Sequence, residues 1–234
     1  MSSIPSKKII IFSGAGISAE SGLKMFRDSN GLWEGHDVMQ VASPQGWTDN
    51  MELVLDFYNQ RRRQLLEVQP NKAHTALVTL EDYFDVHVIT QNVDDLHERA
   101  GSSHVLHLHG ELLKVRSTFD EDLIFDWKTD LRVGDMCEHH FQLRPHIVWF
   151  GEMVPLLEPA AHLVSQADYI LIIGTSMQVY PAASLIDFAK QTASIHFVDP
   201  KPAIATRAHL TIHSETATVG VPKVVNTLIE GLDI

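Results

Sequence analysis

The chain has 234 residues, 44% of them hydrophobic and 21% charged, proportions that fit one sizeable core or a large domain with a smaller insertion and exclude disorder as the default. Its 18 basic and 30 acidic side chains give a formal net charge of -12, which argues against a sequence-independent grip on nucleic acid or anionic membrane and tilts any protein partner towards basic character. A single cysteine, Cys137, excludes an internal disulfide framework. With a polar N-terminus and no apolar run of membrane-spanning length, it points to the cytoplasm.

The first predicted element is a strand from Lys8 to Ser13, whose run Ile9-Ile10-Ile11-Phe12 has the length and branching of a strand buried on both faces of a parallel sheet. Gly14, Gly16 and Ala19 follow as G-x-G-x-x-A, the small-residue form of the dinucleotide fingerprint: one glycine for a tight turn, one for close approach of a pyrophosphate, and a small residue for helix packing. The same residues also serve plain strand-to-helix turns. Leu23 to Trp33 reads as a loop packed near this turn through Phe26 and Trp33, with Trp33 taken as a core aromatic.

Ser43-Pro44 marks a helix start, and Met51 to Val68 reads as a helix with Leu53, Phe57 and Leu65 at helical spacing. On it Tyr58 and Arg61 share a face and could together hold a carboxylate, although spacing alone favours a solvated Arg61-Arg62-Arg63 run. A second helix is expected over Asn71 to Glu81, capped by Asn71. Asp85 to Thr90 is a branched strand ending in the polar cluster Gln91-Asn92-Val93-Asp94-Asp95, placed where open α/β sheets bind ligands.

Val105 to Glu111 alternates apolar and imidazole side chains, so in a strand His107 and His109 would share a face, as a catalytic base or as satisfied core histidines. No third metal ligand stands at suitable spacing. Glu111 to Arg144 changes texture and is expected to form a small inserted lobe. Strand character returns at His146 to Glu152. Ala167 to Gly174 is a buried strand followed by Thr175-Ser176, a helix is expected over Pro181 to Gln191, and Ser194 to Val198 is a short strand ending at Asp199-Pro200. Alternating strands and helices imply an α/β fold with a doubly wound parallel sheet.

Taken together, Gly14-Ala15-Gly16-Ile17-Ser18 with Phe26-Arg27, Thr90-Gln91-Asn92-Val93-Asp94, His107-Leu108-His109-Gly110, Val148-Trp149-Phe150-Gly151-Glu152 and Gly174-Thr175-Ser176 resemble, in order, the signature blocks of the sirtuins, NAD-dependent protein-lysine deacylases. The resemblance implies a Rossmann-like large lobe, about 1–25, 80–110 and 147–234, and a smaller lobe from two insertions, about 26–79 and 111–146, within one catalytic domain. NAD as co-substrate and an acyl-lysine would meet between them. The acyl oxygen attacks the ribose carbon that releases nicotinamide, and lysine and 2'-O-acyl-ADP-ribose follow.

By the same resemblance His109 is the general base, Asn92 and Asp94 line the nicotinamide pocket, Gln91 contacts the ribose and Phe26 shields the reactive sugar face. Gly14, Ala15, Gly16, Ile17, Arg27, Trp33, Val93, Gly174, Thr175 and Ser176 fall on the cofactor side, with Ala217 at the adenosine end; Asp199 departs from the family, standing where many sirtuins carry an asparagine, and from its strand end could take a ribose hydroxyl. Val148, Phe150 and Gly151 would pair with a substrate peptide as an added strand. Tyr58 and Arg61, with Ala42 opening the pocket, match the pair that binds the acyl carboxylate in the desuccinylase and demalonylase branch.

The chain departs from the family at the four zinc cysteines: only Cys137 is present and Ser117 stands where the first is expected, so no zinc is expected. The lobe would then rest on Phe119, Leu123, Ile124, Phe125 and Trp127. A monomer is expected. The competing readings are a module that holds NAD or ADP-ribose without turnover, a protein ADP-ribosyltransferase and, least favoured, a dehydrogenase.

Overall fold

Strand β1 (Lys8–Ser13) lies inside a six-stranded sheet, flanked by β4 (Asp85–Thr90) and β9 (Tyr169–Ile173), in a computed structural model that describes residues 7–23, 32–33, 35–202 and 207–232. The order is β11-β10-β9-β1-β4-β5, with β5 at Val105–His107, β10 at Ser194–Val198 and β11 at Leu210–His213, and every pairing is parallel. Ile9 and Ile11 pack into one apolar layer with α5 (Lys72–Val78) and α8 (Ala217–Glu230); Ile10 and Phe12 pack into the other with α7 (Leu157–Ser165) and a 3-10 helix, Ala182–Phe188. Burial of alternate residues on opposite faces is why this strand reads as an unbroken apolar run.

A second, antiparallel sheet, β7-β6-β8, is made from β6 (Gly110–Ser117), β7 (Ile124–Asp126) and β8 (Leu143–Ile147). Against it lies the long α4 (Met51–Glu67), on which the short helices α2 (Val38–Val41) and α3 (Pro44–Asp49) pack. A hairpin of β2 (Leu32–Trp33) and β3 (His36–Asp37) precedes them. Helix starts are set chemically: the Ser43 side chain accepts from Gly46 N, Asn50 from Leu53 N, and Asn71 from Ala73 N. Among the described residues no helix is long and apolar enough to cross a membrane.

Several expected elements differ. The helix expected over Asn71 to Glu81 becomes 3-10 at Thr79–Asp82. The segment after Tyr180-Pro181 is 3-10 helix, not the expected helix to Gln191. Strand β5 stops at His107, so Leu108 and His109 occupy a turn and the two histidines do not share a strand face. Strand β8 ends at Ile147, so Val148 to Gly151 is irregular backbone laced to its neighbours: Val148 N donates to His109 O and Phe150 N to Ala42 O, both at 2.9 Å.

The smaller sheet's packing also departs from expectation. Phe119 is 61% exposed, and Ile124 and Phe125 are exposed as well; the core there is Leu55, Val115, Leu131, Cys137 and Leu143, with Trp127 packed against it. Arg62, expected in a solvated run, is buried: it donates to Asn59 Oδ1 at 2.7 Å and to the carbonyls of Leu112 and Thr129 at 3.2 Å. It thereby fastens α4 to the central strand β6 and to the irregular segment that follows β7.

Candidate active site

The carboxyl ends of β1, β4 and β9 carry the sharp turns that open a cleft of about 840 Å³. At β1 the turn enters α1 (Ala15–Ala19), and Gly14 N donates to Ile173 O while Gly16 N donates to Gly174 O. A Cβ on Gly16 would lie 2.5 Å from Gly174 Cα, and Gly174 itself has φ +59° with Ile17 N 2.4 Å from where its Cβ would be. Both glycines are thus required where two loops touch backbone to backbone, before any ligand is considered.

One cleft is lined by Gly14, Ala15, Gly16, Trp33, Ala42, Tyr58, Arg61, Gln91, Asn92, Val93, Asp94, His109, Val148, Phe150, Gly151, Gly174, Thr175, Ser176, Asp199 and Ala217. Ile17 is the exception, its side chain lying in the core beneath the turn. Phe26 and Arg27 fall outside the described residues.

His109 Nδ1 donates to the Gln91 carbonyl at 3.0 Å, so in the neutral ring the basic lone pair is on Nε2. Burial lowers its pKa below the ordinary histidine value, only partly offset by that carbonyl. His107 has a different fate: it donates from Nδ1 to Asn92 O and from Nε2 to Glu98 at 2.6 Å. Burial opposes its charge, but the Glu98 carboxylate outweighs that and raises its pKa.

Asn92 and Asp94 are joined through Ser18, whose hydroxyl donates to Asp94 Oδ2 at 2.9 Å and accepts from Asn92 Nδ2 at 3.2 Å. Asn92 also donates to Gly14 O, tying the β4 turn to the glycine turn. Burial raises the Asp94 pKa against the pull of Ser18 and the Leu96 N–H. Gln91 Oε1 accepts from Thr175 at 2.9 Å, and its Nε2 finds no hydrogen-bond partner among the described residues. The cleft therefore presents an amide donor, an amide and carboxylate pair, and an imidazole base along one wall.

On the opposite wall Tyr58 is fully buried, its oxygen accepting the Trp149 indole N–H at 3.0 Å. Burial pushes its phenol well above the ordinary tyrosine value, which keeps it a neutral donor. The Arg61 guanidinium lies 4.3 Å from the centre of the Phe57 ring, and Trp33 meets Phe57 and Tyr58 edge to face, so it serves core and cleft together. Glu152 accepts from Arg144, Arg116 and the Trp149 backbone N–H. Three of the four N–H groups from Val148 to Gly151 are thus spent inside the chain, so an added substrate strand would meet chiefly carbonyls and Gly151.

Sequence reasoning missed Ser18, Arg62 and the Arg116, Glu152 and Arg144 cluster. For Arg62 a signal existed: with Leu55 and Asn59 it continues the i, i+4, i+7 stripe of α4's buried face.

Zinc, which the family resemblance brings with it, does not suit the residues present. Ser117 offers a hydroxyl where a thiolate is needed; it accepts from Phe119 N and donates to Cys137 Sγ at 3.3 Å. Among the described residues no group of three or more His, Cys, Asp or Glu side chains is placed to hold a metal ion.

Parallel sheet and glycine turn define a Rossmann-like α/β protein. The Sir2 family profile matches residues 14–181. An NAD-dependent protein deacylase of Helicobacter pylori is 64% identical over 204 residues, spanning 87% of this chain and 88% of that protein. One of Bacteroides thetaiotaomicron is 48% identical over 231 residues, spanning 95% and 98%. Among solved structures, a Sir2 homolog–NAD complex superposes with a TM-score of 0.86 at 38% identity, covering 97% of this chain and 91% of the other. A Sir2 bound to acetylated peptide gives 0.76 at 28% identity, covering 96% and 93%. The chain belongs to the Sir2 family.

Proposed function

We propose that this chain is an NAD-dependent protein-lysine deacylase whose acyl pocket favours the negatively charged succinyl and malonyl groups. The observation that carries the activity is His109, its Nδ1 committed to the Gln91 carbonyl, in the same cleft as the glycine turn and the Asn92 and Asp94 pair. NAD supplies an electrophilic ribose carbon and nicotinamide as the leaving group.

The chain's own residues supply the rest. The neutral Nε2 of His109 accepts a ribose hydroxyl proton, and its lowered pKa keeps it unprotonated below the ordinary histidine value. Asn92, both of whose amide hydrogens are spent on Gly14 O and Ser18, offers its Oδ1, and Asp94 its carboxyl oxygens, as acceptors for the NH2 of a carboxamide. Gln91 Nε2 is a spare donor for a sugar hydroxyl. Val148 to Gly151 receives the peptide, between a large lobe built on the parallel sheet and a small one built on β6 to β8. The acyl preference rests on Tyr58 and Arg61 lining the same cleft, where a carboxylate would gain charge-assisted bonds that an acetyl group cannot use.

The test is nicotinamide release with acetyl-, succinyl- and malonyl-lysine versions of one peptide. Release that needs both NAD and an acylated peptide, is abolished by His109→Ala and is faster for the charged acyl groups is the expected result. Release from His109→Ala at the wild-type rate would remove His109 from the mechanism. Equal rates across the acyl series, unchanged in Tyr58→Phe/Arg61→Met, would remove the acyl preference.

A further inference from the structure

Trp149 belongs to the proposed peptide segment, and its indole reaches the proposed acyl pocket at Tyr58. Its indole N–H donates to Tyr58 Oη at 3.0 Å. An indole nitrogen can only donate, so the phenol oxygen is the acceptor and the phenol's own proton is left for another partner. Tyr58 lines the cleft with its side chain closed off from bulk water, so an acyl group that enters the pocket can be that partner.

Trp149 is itself held hard. The Arg144 guanidinium lies 3.4 Å from its ring centre, and its backbone N–H donates to Glu152 Oε2 at 2.8 Å. Glu152 also accepts from Arg144 at 2.6 and 3.2 Å and from Arg116 at 3.3 Å. Two guanidinium groups and one carboxylate leave a net positive charge behind the indole. The ring is 2% exposed, so little water competes for its N–H.

We propose that Trp149 is a positioning residue that determines acyl specificity: its indole N–H fixes the Tyr58 phenol so that the O–H is given to the carboxylate of a succinyl or malonyl group. Without that bond the phenol is free to turn its lone pairs towards the acyl group, which repels a carboxylate and is indifferent to acetyl. The inference rests on the reading of Tyr58 and Arg61 given above.

The test is kcat/KM for succinyl and acetyl versions of one peptide with wild type, Trp149→Phe, Tyr58→Phe and the double variant. Phenylalanine keeps an aromatic face for Arg144 and removes the donor together with the indole's second ring, a loss of packing that both peptides share. The succinyl-to-acetyl ratio, in which any loss of folded enzyme cancels, should fall about 3- to 10-fold in Trp149→Phe, the scale of one buried neutral hydrogen bond. The fall should appear mainly as a raised KM for the succinyl peptide. The double variant should show no lower ratio than Tyr58→Phe alone, because one residue acts through the other. An unchanged ratio in Trp149→Phe, or equal losses on both peptides, overturns the proposal while leaving the acyl-pocket reading intact. A wild type that does not prefer the succinyl peptide overturns both.

Discussion

Replacing His74 with glutamine should flatten the acid side of this protein's stability curve. His74 is fully buried; its Nδ1 accepts the Asn71 N–H at 3.3 Å, and its Nε2 has no hydrogen-bond partner among the described residues. The ring meets that of His97 edge to face, with centroids 5.0 Å apart. Burial lowers the His74 pKa from 6.5 to about 4. The unfolded chain therefore takes a proton near pH 6.5 that the folded chain refuses until about pH 4, so this contribution to stability is full above 6.5 and is lost as pH falls through that window.

Between pH 7.5 and 4.5 the difference amounts to about 2.5 kcal/mol, a sizeable part of the roughly 5–15 kcal/mol that holds a typical domain folded. His97, pushed well below its ordinary value by burial, acts with the same sign. Glutamine at this third helical position can still accept the Asn71 N–H, as the usual capping-box residue does, but cannot titrate. Urea unfolding at pH 7.5 and 4.5 should show wild type losing about 2.5 kcal/mol more than His74→Gln across that interval. Equal losses in the two proteins would refute the argument. The consequence reaches the cleft, because His97 bonds Ser13, Ser13 donates to Thr90, and the Thr90 hydroxyl accepts the Asn92 N–H.

Two further outcomes are expected. The acid limb of kcat/KM should have its midpoint below 6.5, because burial lowers the His109 pKa and the base stays neutral below that value; a midpoint at or above 6.5 would contradict the assignment. Arg62→Ala should cost about 3 kcal/mol in urea unfolding, since it strips the Leu112 and Thr129 carbonyls of a charged donor and empties the space of the stem, offset in part by the relief of a buried charge. A loss under about 1 kcal/mol would mean that Arg62 holds nothing in place.

Strands β1, β4 and β10 were legible because burial on both faces writes itself as a branched apolar run with polar or glycine ends. Helix α4 was legible from its spacing and length. Helix α8 was not: Gly220 and Pro222 interrupt its pattern, yet Val221, Val224, Val225 and Leu228 bury fully enough against the sheet to hold it. The aromatic residues Phe119, ahead of β7, and Phe125, within it, look like core by type. They stay exposed because the smaller sheet already fills its interior with Val115, Leu131 and Leu143 and uses Arg62 and Asn59 as fasteners. Of the site, the glycine turn and the run from Gln91 to Asp94 stood out as motifs. That His107 would leave the cleft for Glu98 while His109 stayed depended on where β5 ended, and alternation alone could not mark that point.

The short segment from Val148 to Glu152 is laced to His109 on one side, to Ala42 on the other, and through Trp149 to Tyr58. Under the proposed function, recognition of the modified side chain and recognition of its flanking sequence are therefore cut from one piece of backbone. Any drift in that stretch that alters which modification is removed will also alter which proteins are served, so the two preferences should change together among relatives and resist being engineered apart.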